Sequence, residues 1–377
     1  MIDLVLKILI VAFKGFAFLS LLIVGHELGH FLVAKFFGVW VEEFGLGLPP
    51  RALKKKFGET IFSLNFLPVG GFVKLHGETN GEEVSYPDRA FVNKGKIARI
   101  LISLAGVVAN FIMAFLAFAI VYSFVGVPRE TGTVRIVDVS EGTPAQIVGF
   151  VVGDVVKKVD NKEVHSTKSF IAEVESKKGK RTVIEIERST ESLTEARKIT
   201  VTPRSDPPQG EGPLGVAISS TETYFAPIWQ RPFIGAWYGA REAVSTSKAV
   251  VLGLFGIATD VSKGQVPKGT VGPFGIFALI EYVWRLGPIP LINFLGIISI
   301  NLAIINLVPF PPLDGSRVLF IGIEAFFGKK ILPKAESIIY TTGMILLLLL
   351  MFAITAREIP NAFKAGSINS FVETIVK

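Results

Sequence analysis

Residues 8–38 read ILIVAFKGFAFLSLLIVGHELGHFLVAKFFG, an apolar stretch long enough to cross a lipid bilayer as one helix. Its two lysines lie toward the ends of the stretch, where long side chains can reach the membrane surfaces. His26, Glu27 and His30 lie deep inside it, where ionisable groups are costly and usually functional. No small-residue cleavage site interrupts the apolar run, so we do not expect a cleaved signal peptide. The stretch predicts a membrane helix that carries a polar site.

The composition of the whole chain also indicates a membrane protein. Half of the 377 residues are hydrophobic, 19% are charged, and the mean hydropathy is +0.52. These values exclude an ordinary soluble protein, in which about a quarter of the residues are charged. The formal charge of +7 then indicates membrane topology and contact with anionic lipid, and we expect no nucleic-acid partner. The lack of cysteine excludes disulfide bonds and thiolate metal ligands.

Three further runs of the sequence are long and uncharged enough to cross a membrane, at 100–128, 287–313 and 337–356. Two shorter apolar runs, at 249–259 and 269–280, are too short to cross alone. We expect interfacial or re-entrant elements there. The sequence therefore predicts four transmembrane helices.

Lysine and arginine residues cluster in the loops after the first and third predicted helices, at 51–56 and 329–334. Short basic loops usually remain in the cytosol. This rule assigns both chain termini and the long hydrophilic block at 129–230 to the extracytoplasmic side.

The hydrophilic block has the alternating apolar and polar pattern of short strands. We expect strands at 134–139, 155–159, 182–187, 198–202 and 214–218, with a short helix at 170–176. The block therefore predicts one small α/β domain outside the membrane.

The spacing of His26 and His30 puts both imidazoles on one face of a helix, as a single zinc ion requires. Glu27 lies between them, where a carboxylate can act as general base on the metal-bound water. Two alternatives are open: histidines packed against a polar neighbour, or a proton relay in a transporter.

A catalytic zinc usually has three protein ligands and one open position. Of the other two histidines, His165 lies in the external block and cannot reach the site. His76 lies in the cytosolic loop, where we expect it to be solvated. Asp314 ends the third apolar run and, with four crossings, arrives at the same cytosolic face as His30. It is the favoured third ligand, and its alternative role is to cap a helix after a proline-broken segment.

Two motifs together resemble the site-2 protease family of intramembrane metalloproteases. HELGH at 26–30 and NLVPFPPLDG at 306–315 are similar to its HExxH and NxxPxPxLDG patterns. GVVAN at 106–110 resembles its GxxxN motif, FLPVGGFVK at 66–74 its membrane-associated β-loop, and GPFGI at 272–276 its GPxGI segment.

The external block resembles a bacterial PDZ domain through GTPA at 142–145, GDVV at 153–156 and GPLGV at 212–216. The arrangement is similar to the bacterial group that regulates sigma factors, here with a single PDZ domain. The resemblance implies a multispanning α-helical membrane protein with a membrane-associated β-loop and one extracytoplasmic PDZ-like α/β domain.

The resemblance also implies roles for individual residues. It implies one general base, Glu27, and three zinc ligands, His26, His30 and Asp314. It further implies substrate contacts by the remaining motif residues, Asn306, Asn110, Gly70 and Gly71. Both asparagines could instead serve contacts between helices. The β-loop could pair with an unwound substrate by strand addition, or rest on the lipid headgroups as an ordinary amphipathic hairpin.

The chain is expected to divide into eight segments. They are a first transmembrane helix (4–38), a cytosolic loop with the β-hairpin (39–96), a second transmembrane helix (97–127), the PDZ-like domain (131–219), an interfacial or re-entrant region (220–286), a third transmembrane helix (287–328), a fourth (335–356) and a tail (357–377).

The function implied by the resemblance is that of a zinc endopeptidase of the bacterial cytoplasmic (inner) membrane. It would cut a single-span membrane protein, such as an anti-sigma factor or a remnant signal peptide, after another protease has removed most of its external domain. The PDZ-like domain would bind an exposed C-terminus or act as a size filter. The alternatives are a non-proteolytic metal-binding scaffold that recruits partners through this domain, and a transporter.

Overall fold

The computed structural model describes residues 2–78, 84–189, 194–208, 210–263, 271–328 and 333–376. The basic residues at 329–330 and the start of the apolar run at 269–280 lie outside these ranges. The chain divides into two units, which we call the membrane unit (Met1–Phe124 and Pro232–Lys377) and the inserted unit (Val125–Arg231).

The helices and strands follow one another in this order: α1 (Ile2–Phe36), β1 (Val41–Phe57), β2 (Thr60–Leu75), α2 (Lys96–Val125), β3 (Val127–Val139), α3 (Pro144–Ile147), β4 (Val155–Val159), β5 (Lys162–Glu163), α4 (Thr167–Ser176), β6 (Thr182–Ser189), β7 (Thr194–Val201), β8 (Val216–Tyr224), α5 (Arg231–Ser262), α6 (Pro273–Leu286), α7 (Pro288–Leu307), α8 (Asp314–Phe327), α9 (Pro333–Ala365) and α10 (Ile368–Val376). Two short 3-10 turns precede α2.

Five of the described helices are long and apolar enough to cross a membrane: Leu9–Phe36, Lys96–Val125, Arg231–Asp260, Pro288–Leu307 and Lys334–Ala365. Four of them coincide with the predicted transmembrane runs. The additional helix belongs to α5, in the region 220–286, where the sequence led us to expect only short interfacial or re-entrant elements. The run at 249–259 is not a separate short element but lies in the second half of this continuous helix.

The polar residues in the first half of α5 hide its helical continuity from a hydropathy scan. In the structure Tyr122 of α2 donates a hydrogen bond of 3.1 Å to Glu242 of α5. Gly239 lies so close to α2 that an added Cβ would be 2.6 Å from a backbone nitrogen of that helix. Val250 and Leu254 pack against a buried cluster that α2 and α7 share. Packing along α2 therefore extends the helix beyond its apolar run.

The predicted third transmembrane segment, 287–328, is two helices rather than one. α7 ends at Leu307, and prolines at 309, 311 and 312 prevent the helix from continuing because they lack the N–H donor. α8 then begins at Asp314. Gly315 lies against the carbonyl group of Leu307, where a side chain would collide. Because of this break, Asp314 lies at the start of a new helix.

α9 continues to Ala365, beyond the predicted end at 356. Its buried Glu358 accepts hydrogen bonds from the backbone N–H groups of Gly272, at 2.7 Å, and Gly275, at 3.1 Å. These donors lie at the start of α6, where N–H groups have no partner within the helix. The first part of the predicted tail therefore anchors α6.

β1 and β2 form a long antiparallel hairpin that bends back on itself into four segments. Residues 43–46 pair with 71–74 on one side and with 61–64 on the other. The second half of β1 pairs with the start of β2, so it forms the far edge of the sheet. Residues 71–75, which we call the edge strand, form the other edge.

Glu43 is a buried carboxylate that joins segments of this sheet. It accepts hydrogen bonds from Arg51 Nε, at 2.9 Å, and from Ser63 Oγ, at 2.6 Å. Burial alone would raise the pKa of Glu43, but the hydrogen bonds from Arg51 and Ser63 outweigh burial and hold the pKa below its usual range. The pairing stabilises the bend of the hairpin.

The inserted unit is a small α/β domain, as the alternating pattern predicted. Its sheet has the strand order β7-β6-β4-β3-β8, with β5 paired to β4. Val134, Ile136, Val156, Ile184 and Ile186 form the centre of its core. At the edge of this core Asp154, which is fully buried, receives two hydrogen bonds of 2.7 Å from Arg188.

We expect Asp154→Ala to destabilise the inserted unit by about 2–3 kcal/mol, because it leaves the Arg188 guanidinium without its carboxylate partner. Hydrogen exchange of the solubilised full chain measures the effect as faster exchange confined to β3, β4 and β6. Asp206→Ala, at an exposed position of the same unit, is the matched control. Equal protection in both variants would show that the pair contributes nothing to stability.

Candidate metal centre and active site

Three side chains that are far apart in the sequence lie close together in the membrane unit. His26 and His30 lie one turn apart on α1, and their Nε2 atoms are 3.2 Å apart. Asp314 Oδ2 lies 3.1 Å from His26 Nε2 and 3.2 Å from His30 Nε2. The three atoms form a nearly equilateral triangle. Within the described ranges, this is the one group of three or more such residues close enough to hold a metal ion.

The triangle is close in size to the ligand triangle of a zinc site. Zinc binds imidazole nitrogen and carboxylate oxygen at about 2.0–2.2 Å, and two tetrahedral ligands at that distance lie about 3.3–3.5 Å from each other. Asp314 Oδ2 is buried and has no hydrogen-bond partner among the described residues, although both imidazoles approach it. A metal ion between the three atoms would satisfy it. Two imidazoles and one carboxylate therefore fit a catalytic zinc with a position left open.

A backbone carbonyl fixes the tautomer of His30. Its Nδ1 lies 2.8 Å from the carbonyl oxygen of Ile102. Because a carbonyl oxygen only accepts, Nδ1 carries the hydrogen and Nε2 keeps its lone pair. That lone pair is the one that points toward His26 and Asp314. The orientation suits a metal ligand held by an outer hydrogen bond.

Asn110 of α2 contacts Nδ1 of His26, as the Ile102 carbonyl contacts Nδ1 of His30. Its amide group is fully buried, with Nδ2 3.0 Å from His26 Nδ1, and its Oδ1 has no partner among the described atoms. If the Asn110 amide is rotated by 180°, its Oδ1 faces His26 Nδ1. Nδ1 then donates its hydrogen to Oδ1, and the lone pair of His26 Nε2 stays available for a metal. Asn110 was predicted to contact substrate; in the structure it contacts His26, a predicted metal ligand, and it is closed to solvent.

Small residues allow α1 and α2 to approach each other at the site. A Cβ added to Gly29 would lie 2.7 Å from the Cβ of Ala109. A Cβ added to Gly106 would lie 2.7 Å from His26 Nε2 and still closer to His30 Nε2. The glycine that begins the GxxxN motif therefore leaves room for the two imidazoles themselves.

An open cavity of about 300 Å³ adjoins the triangle. Glu27 lines it together with the edge strand, residues 71–75. Gly71 lies against α1, since an added Cβ would be 3.2 Å from Glu27 Cγ. Gly70, the preceding residue, has a φ of +85°, a conformation that glycine adopts without strain. The predicted residues Glu27 and Gly71 are thus brought together beside His26, His30 and Asp314.

The other predicted or considered residues lie elsewhere. Asn306 is half-buried in the last turn of α7 and has no hydrogen-bond partner in the part of the chain that the structure describes. It does not line the cavity. His165 is exposed in the inserted unit. His76, expected to be solvated, is instead buried, with Nδ1 2.8 Å from Glu42 Oε1. Tyr86 lies against the ring: its backbone N–H donates a hydrogen bond of 3.2 Å to His76 Nε2, and the two ring centroids are 6.1 Å apart.

Three further polar residues line the cavity that the sequence analysis did not single out: Glu78, Ser103 and Arg317. Arg317 forms an ion pair with Glu78. Arg317 lies three residues after Asp314, and Ser103 lies three residues before Gly106, so both are nearly one helical turn from a motif residue. That spacing could have pointed to them. No comparable signal marks Glu78.

We expect Gly106→Ala to lower the metal affinity of the protein at least tenfold, because the new methyl group occupies the space of the two imidazoles. Zinc content after dialysis against a weak chelator measures this directly. Gly253→Ala is the matched control, because Gly253 lies in the long helix α5 with no other atom near enough to meet a Cβ. Full zinc retention by Gly106→Ala would contradict the assignment of the site.

Comparisons with known proteins identify the family of the chain. The model of peptidase family M50 matches residues 14–350. A Clostridium perfringens protein that carries a zinc metalloprotease name is 33% identical over 355 residues, which cover 93% of this chain and 98% of that protein. The regulator of sigma-W protease RasP from Bacillus subtilis is 26% identical over 416 residues, which cover 90% of this chain and 95% of that protein. The chain belongs to peptidase family M50, the site-2 protease family, and is a zinc metalloprotease.

Proposed function

We propose that the protein hydrolyses a peptide bond within the transmembrane segment of a single-span membrane protein. The observation that carries the proposal is the meeting of His26, His30 and Asp314 within 3.2 Å of one another, beside the carboxylate of Glu27 and an open sheet edge. α1 is apolar and long enough to cross a membrane, so a site on it is suited to a substrate in the membrane.

The chemistry follows from the donor set and its neighbours. His26, His30 and Asp314 would hold zinc, which supplies Lewis acidity that polarises a peptide carbonyl and acidifies water. Glu27 would accept the proton of the water that attacks the carbonyl carbon. It would then pass this proton to the amide nitrogen as the C–N bond breaks, so that one carboxylate serves as base and then as acid. A non-proteolytic scaffold would have no use for such a carboxylate beside its metal.

The substrate must unwind before it can react, because a helix buries its peptide bonds in its own hydrogen bonds. The edge strand offers main-chain groups for pairing with an extended peptide, and it lines the same cavity as Glu27. We therefore favour strand addition over a hairpin that only rests on the headgroups. Asn306, with its free amide at the end of α7, remains a candidate for contact with the substrate backbone.

We propose the bacterial cytoplasmic membrane as the location, with the inserted unit outside and the metal centre toward the cytosol. Asp314 and His30 lie at the same face of the membrane only if the chain between β8 and α7 crosses the membrane an even number of times or not at all. α5 would therefore enter the membrane and the following segment would return to the face where α5 began. In this arrangement α5 and α6 together enter and leave the membrane at the same face. The number of crossings therefore stays at the four predicted.

The substrate class rests on the relatives. One of them is named a regulator of sigma-W protease. We propose that this chain likewise serves regulated proteolysis, with an anti-sigma factor or a remnant signal peptide as substrate, after a first cut by another protease. The inserted unit would act as a PDZ-like domain that binds the new C-terminus or excludes substrates with large external domains.

The central experiment is cleavage of a single-span reporter by the purified protein in detergent. We expect the wild type to cut within the membrane segment, a chelator to stop the reaction, and added zinc to restore it. Glu27→Gln should cut at least about 100-fold more slowly while it still binds zinc, because proton transfer is lost and the ligands are not. Asp88→Asn, at an exposed carboxylate between the hairpin and α2, is the control. Undiminished cutting by Glu27→Gln would remove Glu27 from the mechanism.

The orientation can be tested with single cysteines, because the chain has none of its own. We expect Ser176→Cys, in the inserted unit, to react with a membrane-impermeant maleimide on intact cells. Lys56→Cys, at the end of β1, should react only after the cells are opened. The reverse pattern would show that the proposed orientation is inverted.

A further inference from the structure

The edge strand ends at a carboxylate. The backbone N–H of Leu75, its last residue, donates a hydrogen bond of 3.2 Å to Glu78 Oε2. The other carboxylate oxygen of Glu78 forms the ion pair with Arg317. Glu78 therefore occupies, from within the chain, a main-chain donor at the open edge of the sheet.

The direction of the Leu75 amide shows which amides face outward. The next amide, that of His76, donates to the carbonyl of Trp40 inside the sheet at 2.9 Å. Successive N–H groups of a strand point to opposite sides in the plane of the sheet. The amides of Gly71, Val73 and Leu75 thus face away from the sheet, and Glu78 takes the last of the three.

Arg317 holds Glu78 in this place. It lies on α8 nearly one turn after Asp314, so the ion pair connects the end of the edge strand to the helix that begins with a metal ligand. Glu78 and Arg317 both line the active-site cavity and also a second cavity of about 260 Å³. The ion pair stands where the two cavities meet. A peptide that followed the edge past Val73 would meet this pair.

We propose that Glu78 is a positioning residue that ends the open edge at Val73 and so sets the register of the substrate strand. The inference rests on the proposed strand addition at this edge. With Leu75 occupied, the outward amides of Gly71 and Val73 are left for substrate carbonyls. Gly71 lies against Glu27, so a substrate held by these two amides presents one particular peptide bond to the catalytic carboxylate.

Loss of Glu78 would add one donor to the edge. Side chains and main-chain groups of a strand repeat every two residues, so a paired peptide can shift only by two residues without exchanging its faces. With the Leu75 amide free, a substrate strand displaced by two residues would make as many main-chain hydrogen bonds as the original one. The two registers would then be populated within about tenfold of each other, because they differ by at most one main-chain hydrogen bond.

The test is to map the cleavage sites of the single-span reporter by mass spectrometry for the full-length protein and its variants. We expect the wild type to give one main cut and Glu78→Ala to give a second cut two residues away, in a yield within about tenfold of the first. Glu78→Gln keeps a carbonyl that can accept from Leu75, so it should retain the single cut at a lower rate. Asp88→Ala, at an exposed position before α2, should match the wild type in both site and rate.

The outcomes separate this inference from the proposed function. If the wild type cuts and Glu78→Ala gives the same single site, the inference is wrong while the protease assignment stands. A second site in Glu78→Gln would equally overturn it, because the acceptor would not be what stops the strand. If the wild type cuts no reporter, the proposed function fails first. Hydrogen exchange in the Glu27→Gln background adds a readout without turnover: Glu78→Ala should lose protection at the Leu75 amide, and retained protection would contradict the contact.

Discussion

The membrane unit depends on the meeting of two imidazoles and one carboxylate within an otherwise apolar set of helices. Such groups are costly to bury unless they bind a metal or one another, so each helix that carries one must be held in place. Small residues do this between α1 and α2, since Gly29 and Gly106 let the two helices approach until the imidazoles fill the space between them. Glycine weakens helices elsewhere, but here it is required at positions 29 and 106.

The position of Asp314, the predicted third ligand, depends on an interruption between two helices. Prolines end α7, and the backbone between α7 and α8 has no helical hydrogen bonds of its own. Such backbone is tolerated at membrane depth where protein covers it or where it lines a water-filled cavity. α9 packs on one part of it, because Gly343 lies against Pro311, where an added Cβ would be 2.8 Å from the carbonyl carbon. The interruption lets Asp314 approach His26 and His30 from the first turn of a separate helix.

Features with a local cause were predictable from the sequence, and features caused by tertiary contacts were not. The spacing of His26 and His30, the prolines before Asp314 and the alternation in the inserted unit each act over a few residues, and all pointed to the structure found. α5 was missed because its polar half is stabilised by packing on α2, which hydropathy does not record. The burial of His76 and the pairing of Glu78 with Arg317 depend on chain segments that meet only in the folded protein.

The position of the edge strand beside Glu27 is another feature that depends on tertiary contacts. An unpaired sheet edge is normally a liability, because it invites pairing with any extended chain. Here the edge strand lines the cavity next to the metal centre, and its glycine at 71 lets it lie directly on α1. The proposed function needs main-chain donors close to Glu27, because an unwound segment of a helical substrate must be held there. The exposed edge, ended by Glu78 as we propose, would meet that need through backbone groups and so would require no particular side chain from the substrate.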